Sequence, residues 1–274
     1  MRPPVLCLAA LIAAPCAAQA QRAPSYDVYA VSYATIPSFP VAGLVAGADT
    51  ARRMDIQMMV WLIRGEGHTI LVDAGFYRDK FVKRWKPRDY VRPSDAVAAL
   101  GVKPEDVTDI IISHMHWDHA DGADLFPTAR VWIQREEFDH YTNAATRYGG
   151  ADTADATMMV RLDSLGRVSK VDGDAREILP GVRVYTGGKH TFQSQYVSVP
   201  TRAGTVVLAS DNAYLSENLE RRRPIAQTLD SVSNLAAQAR MKTIASSERL
   251  IVPGHDPLVF VRFPAPGKGV AKIE

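Results

Sequence analysis

The chain has 274 residues, a formal net charge of +2 and 23% charged residues, so its composition predicts neither nucleic-acid binding nor attachment to a charged membrane surface. Its 47% hydrophobic residues are ordinary for a globular protein and supply one sizeable core. Both cysteines precede residue 21, so a mature chain that starts there has no disulfide and no thiolate ligand for a metal.

The first 20 residues have the features of a secretory signal peptide. Arg2 supplies a positive charge, residues 5–14 are almost all apolar, and Ala18-Gln19-Ala20 is a small-x-small cleavage site. The apolar run is shorter than the roughly 20 residues that a membrane span needs. We therefore predict export to the periplasm or the medium, with residues 21–274 forming one domain. A retained anchor is the alternative.

Apolar runs separated by turn residues predict strands that alternate with helices. The predicted strands are residues 26–33, 56–63, 69–72, 109–112, 131–133, 182–185, 196–199, 206–209 and 250–252. Gly65-Glu66-Gly67 predicts a hairpin turn, and Ser94 is expected to cap a helix over 95–100. The longest helix is predicted over 225–243, with a buried face formed by Leu229, Val232, Leu235, Ala236 and Ala239. This order favours an α/β fold with helices packed outside two stacked sheets.

The stretch richest in metal-ligand residues follows the fourth predicted strand and reads Ser113-His114-Met115-His116-Trp117-Asp118-His119. Imidazole and carboxylate groups are the ligands that zinc and similar divalent ions take. An extended backbone points His114 and His116 to the same side, while Asp118 and His119 are expected to face a second ion at the start of a helix. One ion could not bind all four groups and keep an open position, so two ions are predicted.

Three later segments share one pattern, in which small residues and then a metal-ligand residue follow an apolar strand. The segments end at His190, Asp211 and His255. Loops at strand ends are where such folds place their chemistry. Taken singly, each histidine could be a satisfied buried imidazole and Asp211 could be a helix cap. Together with the first motif they complete a ligand set for two ions.

H-x-H-x-D-H, followed by a strand-end histidine, a strand-end aspartate and a late Gly-His, resembles the metallo-β-lactamase superfamily over about residues 26–255. The resemblance implies a four-layer αββα sandwich that binds two divalent ions, with zinc as the expected metal. The implied ligands are His114, His116 and His190 for one ion, Asp118, His119 and His255 for the other, and Asp211 as the bridge. Asp73 matches the family's strand-end aspartate, which orients the ligand loop. A plain turn residue is the alternative for Asp73.

Three local features narrow the resemblance within this superfamily to the N-acyl-homoserine lactone lactonases. His116 stands where the di-iron oxygen reductases have glutamate, and Asp211 supplies a carboxylate bridge that many β-lactamases lack. Tyr214 stands three residues after Asp211, and in the lactonases the tyrosine of this D-x-x-Y contacts the lactone carbonyl. A tyrosine in the core or on the surface is the alternative for Tyr214.

The resemblance implies a hydrolase in which a metal-bridging hydroxide attacks the ring carbonyl of an N-acyl-homoserine lactone or a similar lactone. Tyr214 is expected to stabilise the carbonyl oxygen, and Asp118 is expected to carry a proton to the leaving alkoxide. The mature chain offers no Gly-x-Ser-x-Gly elbow and no cysteine as a covalent nucleophile. Other hydrolases of this fold, acting on phosphotriesters, thioesters or aryl esters, are the alternative, and an exported metal- or ligand-binding protein is a further one.

Apolar residues beside the predicted ligands are candidates for holding an acyl chain. They are Trp117 inside the motif, Phe76 and Phe192, and core packing is the alternative for the two phenylalanines. Phe192 and Gln193 also replace the Pro-Gly turn that usually follows the third histidine of the family. Residues 36–49 are predicted to form a loop or an arm near the site. The expected partner is a small-molecule lactone or ester, with no nucleic acid and no membrane, and the sequence leaves a homodimer open.

Overall fold

The computed structural model describes residues 22–146 and 151–274. The predicted signal peptide lies outside these residues, so export remains a prediction. Within them the chain forms twelve strands and eight α-helices. The strands are β1 (Asp27–Pro40), β2 (Arg53–Gly65), β3 (His68–Val72), β4 (Asp109–Ile111), β5 (Arg130–Gln134), β6 (Val168–Val171), β7 (Arg176–Leu179), β8 (Val182–Thr186), β9 (Gln195–Thr201), β10 (Gly204–Ser210), β11 (Ile251–Pro253) and β12 (Val270–Lys272). The helices are α1 (Asp79–Trp85), α2 (Pro93–Ala98), α3 (Trp117–Ala120), α4 (Arg135–Thr142), α5 (Thr153–Ser164), α6 (Ser216–Glu220), α7 (Ser231–Ile244) and α8 (Val259–Arg262).

The strands form two sheets. One has seven strands in the order β12-β1-β2-β3-β4-β5-β6, and the other has five in the order β11-β10-β9-β8-β7. Strands β3 to β6 are parallel to one another, and β10 is parallel to β11. Loops at the carboxyl ends of these strands can therefore meet at one edge of the sandwich. No helix among the described residues is long and apolar enough to cross a membrane.

Each sheet buries both of its faces, which accounts for the continuous apolar runs in the sequence. In β3, Ile70 and Val72 join the core between the two sheets, whereas Leu71 faces the helices outside. In β10, Leu208 faces the other sheet, and Val207 packs with the core beside α7. Since side chains alternate across a strand, a strand buried on both faces has no polar positions to alternate with. The predicted αββα sandwich is confirmed.

Two local predictions can be compared with the structure, a hairpin turn and a helix cap. The hairpin between β2 and β3 is confirmed, and its two central residues, Glu66 and Gly67, have φ of +51° and +79°, as a tight hairpin turn requires. Ser94 is not the cap of α2, which instead begins at Pro93 after Arg92. Proline suits the first helical position because its fixed φ is helical and no hydrogen bond is lost there.

Helix α7 exposes the face that was predicted to be buried. Leu229, just before the helix, and Val232 are 69% and 78% exposed, whereas Asn234 and Gln238 are buried. The side-chain amides of these two polar residues donate hydrogen bonds to the carbonyl oxygen of Asn212, over 3.0 and 3.4 Å. The helix thus supplies hydrogen-bond donors to the buried carbonyl group of the loop that follows β10. This requirement, and not the apolar periodicity, decides which face of the helix is buried. The helix also begins at residue 231, later than predicted.

Candidate metal centre and active site

The seven predicted ligands follow the carboxyl ends of four strands, β4, β8, β10 and β11. The residues just before His190 and Asp211 have φ of +54° and +46°, so the chain turns sharply where each strand ends. Gly254 lets the loop after β11 come close to this point, because a Cβ there would lie 2.7 Å from Oδ1 of Asp211. The backbone is therefore shaped to bring these loops together.

Three histidine nitrogens and one carboxylate form the first cluster. Nδ1 of His116 lies 3.0 Å from Nε2 of His114 and 2.9 Å from Nε2 of His190. Oδ2 of Asp211 lies 3.3 Å from the nitrogen of His190 and 3.6 Å from that of His114. Ligands about 2.0–2.1 Å from a tetrahedral zinc ion are about 3.3 Å apart, so these four atoms have the spacing of a zinc site.

The second cluster consists of Asp118, His119 and His255. Oδ2 of Asp118 lies 3.5 and 3.7 Å from Nε2 of His119 and His255. Asp211 reaches this cluster too, with Oδ2 3.3 Å from His119 and Oδ1 3.0 Å from His255. All seven residues thus converge, and Asp211 stands between the two groups, where a bridging carboxylate is expected.

The hydrogen bonds around the clusters leave the ligand atoms free for cations. Nδ1 of His190 and Nδ1 of His255 lie 2.7 and 2.9 Å from the carbonyl oxygens of Gln227 and Gln57. Since a carbonyl only accepts, these nitrogens carry the proton, and the Nε2 lone pairs face the clusters. Within residues 22–146 and 151–274, His119 Nε2 and Asp211 Oδ1 are buried without a hydrogen-bond partner. The donor set fits divalent metal ions.

The electrostatics of the two clusters differ. Burial and neighbouring histidines lower the pKa of His114 well below its usual value, and the pKa of His116 to about 3. Burial also opposes a charge on His119, but the carboxylates of Asp211 and Asp118 outweigh it and raise the pKa of His119 well above its usual value. His114 and His116 are therefore neutral imidazoles, and the second cluster has the negative potential that a cation would neutralise.

Asp73 supports the ligand loops from the end of β3, as the resemblance implies. Its Oδ1 accepts from the Ser113 backbone N–H at 2.8 Å, and its Oδ2 lies 2.8 Å from Nδ1 of His119. The hydroxyls of Ser113 and Ser210 also donate to Oδ2, over 2.9 and 3.0 Å. Asp73 is fully buried and thus joins the loops after β3, β4 and β10. The two serines were not singled out in the sequence, although each directly precedes a ligand.

A cavity of about 370 Å³ opens above the ligands. Its floor is polar, and its wall is largely aliphatic and aromatic, with Trp85 stacked on Trp117 at 5.5 Å between ring centroids. Trp117 lines the cavity as predicted, and residues from the 36–49 segment lie beside the site. The lining residues are Ile36, Phe39, Leu44, Ile56, Met58, Phe81, Arg84, Trp85, His116, Trp117, Asp118, Asp211, Tyr214, Gln227 and His255.

Tyr214 lies on the cavity surface, but two other predicted pocket residues do not. The Tyr214 hydroxyl is 3.4 Å from Nδ1 of His190. Burial, and then the nearby carboxylates, raise the pKa of Tyr214 well above its usual value, so the hydroxyl keeps its proton. Phe76 is fully buried behind Trp117, at 4.7 Å between ring centroids. Phe192 stacks on His140, at 4.1 Å, outside the cavity. Phe76 therefore packs in the core, which was the alternative for it, whereas Phe192 is 37% exposed and belongs neither to the cavity nor to the core.

The chain is similar to known lactonases over most of its length. The sequence profile of the Metallo-beta-lactamase superfamily matches residues 55–255. An N-acyl homoserine lactonase from Bacillus cereus is 33% identical over 220 residues, which are 74% of this chain and 82% of the relative. An N-acyl homoserine lactone hydrolase, solved with the product N-hexanoyl-L-homoserine at its catalytic metal centre, superposes with a TM-score of 0.68 at 20% identity, over 89% of this chain and 98% of that one. AidC, described as a dizinc quorum-quenching lactonase, superposes with a TM-score of 0.65 at 14% identity, over 92% and 95%. The chain belongs to the metallo-β-lactamase superfamily.

Proposed function

We propose that this protein hydrolyses the ring ester of N-acyl-homoserine lactones. One observation carries the proposal: the metal-ligand cluster and the Tyr214 side chain face one cavity whose wall is apolar. A polar lactone ring would lie on the floor, and an acyl chain would lie along the wall, where burying each CH₂ contributes about 0.8 kcal/mol. The similarity to the Bacillus cereus lactonase supports this substrate class.

The ligand residues would hold two divalent ions, and we propose zinc because imidazole and carboxylate suit it and because a dizinc lactonase shares this fold. Bound ions of this kind supply Lewis acidity and activate water at neutral pH. His114, His116 and His190 would hold one ion, and Asp118, His119 and His255 the other. Asp211 would keep the two ions at a fixed separation, because its carboxylate approaches both clusters.

Tyr214 and Asp118 act on the substrate in this proposal. The Tyr214 hydroxyl stays protonated and can donate a hydrogen bond to the carbonyl oxygen as negative charge develops there, which is where such sites gain much of their rate. Asp118 lines the cavity, and its carboxylate can accept the proton that the attacking water loses and then pass it to the leaving alkoxide as the ring C–O bond breaks. Ring opening gives an N-acyl-homoserine whose new carboxylate would lie on the floor of the cavity, where the lactone carbonyl lay, while its acyl chain would lie along the wall.

The test is a substrate panel with purified protein loaded with two equivalents of zinc. N-acyl-homoserine lactones of increasing chain length are compared with a phosphotriester, a thioester and an aryl ester, and acid release or chromophore release is measured. We expect kcat/KM for the lactones to exceed the other classes by about 100-fold. A higher value for another class would replace the lactone by that ester, and no turnover of any substrate would leave a metal-binding protein.

We also propose that the protein is exported. The support is the charged, apolar and small-x-small order of residues 1–20. Export would place the protein where it meets diffusible lactones before they enter a cell, which fits a quorum-quenching role. The measurement is mass spectrometry of the mature N-terminus, together with the distribution of the full-length chain between cell fractions. A chain that keeps residue 1 and stays in the cytoplasm would contradict export without affecting the proposed chemistry.

A further inference from the structure

Glu137 is a buried carboxylate that belongs to none of the clusters described so far. It lies in α4, and its relative exposure is 0%. Its Oε1 accepts from the backbone N–H of Met115 at 2.9 Å and from the hydroxyl of Thr191 at 2.8 Å. Its Oε2 accepts from the backbone N–H of Gln193 at 2.7 Å. The carboxylate thus joins two separate loops, the one after β4 and the one after β8.

The partners of Glu137 flank the ligands of the first cluster. Met115 stands between His114 and His116 in the chain, and Thr191 directly follows His190. A shift of the carboxylate would therefore move all three imidazoles relative to one another. Glu137 makes no such contact beside the histidines of the second cluster, since His119 is held by Asp73, which also binds Ser113 before His114, and His255 is held by the Gln57 carbonyl.

A structural role in helix packing alone does not account for this carboxylate. A buried charge without a cation costs several kcal/mol unless hydrogen bonds offset it. Glu137 forms no ion pair with a lysine or arginine among the ion pairs of residues 22–146 and 151–274, and burial raises its pKa, while the N–H groups of Gln193 and Met115 lower it. An apolar residue would avoid this cost but would leave both N–H groups without an acceptor.

We propose that Glu137 is a positioning residue that sets the spacing of the three-histidine metal site and leaves the other site unaffected. The inference rests on the two-metal site of the proposed function. Its consequence is asymmetry: Glu137 supports the ligands of one ion and not those of the other, so the three-histidine site can be weakened alone. Metal affinity measures this directly, independently of any substrate.

The experiment measures zinc affinity by competition with a chromophoric chelator in two backgrounds. His255→Ala leaves the three-histidine site intact, and His116→Ala leaves the other site. Adding Glu137→Gln presents an amide NH₂ in place of one acceptor oxygen, so one donor loses its partner. We expect zinc to bind about 10-fold more weakly in the His255→Ala background, and to change by no more than about 2-fold in the His116→Ala background.

The matched control is Glu136→Gln, which removes the same charge from an exposed neighbour on the same helix. It is expected to change neither affinity. If Glu137→Gln does not fold, Thr191→Val removes only one hydroxyl donor, and it should give the same asymmetry with a smaller amplitude. An unchanged affinity for the three-histidine site, or equal weakening of both sites, overturns the proposal. A wild type that binds two zinc ions but opens no lactone would instead refute the proposed function and leave this inference standing.

Discussion

The floor and the wall of the cavity lie side by side but are built in different ways. The floor consists of ligands whose free ring nitrogens and neighbouring loops are bound by buried polar groups such as Asp73 and Glu137. The wall is a stack of rings, in which Trp85 lies between Phe39 and Trp117 with centroid separations of 6.2 and 5.5 Å. Hydrogen bonds fix distance and direction, whereas ring packing tolerates replacement by other apolar groups.

Because of this difference, we expect the floor to determine the chemistry and the wall to determine the substrate selectivity. A change in the floor should affect metal binding and kcat with every substrate, because the reacting atoms lie there. A change in the wall should affect KM and depend on the length of the acyl chain, because each CH₂ is held separately. Four substitutions, taken from the largest expected effect to the smallest, test whether the two regions are as independent as their construction suggests.

Asp211→Asn should have the largest effect. The carboxylate lies within 3.0–3.6 Å of four histidine nitrogens, and an amide would bring an NH₂ group and no charge to this point. We expect a loss of about 10³-fold or more in kcat/KM, together with loss of at least one metal ion per chain. Kinetics and elemental analysis of the same sample check this. Asp174→Asn, at an exposed ion pair, is the control, and full metal content with normal rates in Asp211→Asn would contradict a bridging role.

Tyr214→Phe should distinguish a role of the hydroxyl in catalysis from a role in metal binding. Tyr214 lines the cavity, and its hydroxyl lies 3.4 Å from Nδ1 of His190 without being one of the predicted ligands, so we expect kcat with lactones to fall about 10²-fold while two metals stay bound. Tyr185→Phe removes the hydroxyl of a tyrosine in the core beside α7 and should leave kcat unchanged. If Tyr214→Phe keeps its lactonase rate, the phosphotriesterase, thioesterase and aryl-esterase alternatives become the better description.

The floor could be predicted from the sequence, and most of the wall could not. Metal ligands belong to few residue types and follow strand ends, so a motif such as His114 to His119 carries its chemistry in its spacing. Part of the wall comes from α1, a seven-residue helix for which no element was predicted. Residues 36–49 were predicted to lie near the site, and they do, but residues 36–40 extend β1 and are not the predicted loop or arm. Phe76 and Phe192 were predicted to be pocket residues because they are close to ligands in the chain. Sequence proximity does not decide which side of a loop faces a cavity.

The buried supports were hard to predict for a related reason. Glu136 and Glu137 are neighbours in sequence and both suit the first turn of α4, yet one is exposed and the other links two loops. In α7, apolar spacing predicted the wrong face, because Asn234 and Gln238 serve the loop beside Asp211. Partners distant in sequence decide such cases, and a single sequence does not contain that information.

Trp85→Ala tests the wall. The ring lines the cavity and stacks on Trp117, so its removal should raise KM about 10-fold for long-chain lactones and much less for short ones, with kcat nearly unchanged. Steady-state kinetics over a series of chain lengths measures this. Phe192→Ala is the matched comparison, because Phe192 stacks on His140 outside the cavity and should leave KM unchanged. A rise in KM for Phe192→Ala, or a loss of kcat for Trp85→Ala, would mean that floor and wall are coupled.

Asp155→Asn should have the smallest effect, and it tests the contacts that connect the wall of the cavity to its floor. Arg78 directly precedes α1, the helix that supplies part of the wall. Its guanidinium contacts Asp121, at the end of α3 below the cavity, and it also contacts Asp155, at 2.7 Å. Burial, and then the hydrogen bond and charge of Asp121, raise the pKa of Asp155 to about 9. Asp155 is therefore neutral at pH 7, and asparagine has nearly the same shape and also offers a donor. Below about pH 4, where Asp155 carries its proton in both the folded and the unfolded state, stability should change by no more than about 0.5 kcal/mol.

The pKa of Asp155 determines how the stability difference between the variant and wild type should change with pH. The folded pKa of Asp155 lies above the unfolded value, so the stability linked to its proton is fully present below about pH 4 and is lost as pH rises towards 9. Asparagine cannot ionise, so the Tm of Asp155→Asn should rise relative to wild type between about pH 4 and about pH 9, by about 2–4 °C for each kcal/mol. Thermal unfolding across this range measures the difference, with Asp139→Asn, an exposed carboxyl on α4, as the control. A variant that is already much less stable at neutral pH would show that Asp155 is ionised and that its ion pair with Arg78 holds the wall to the floor.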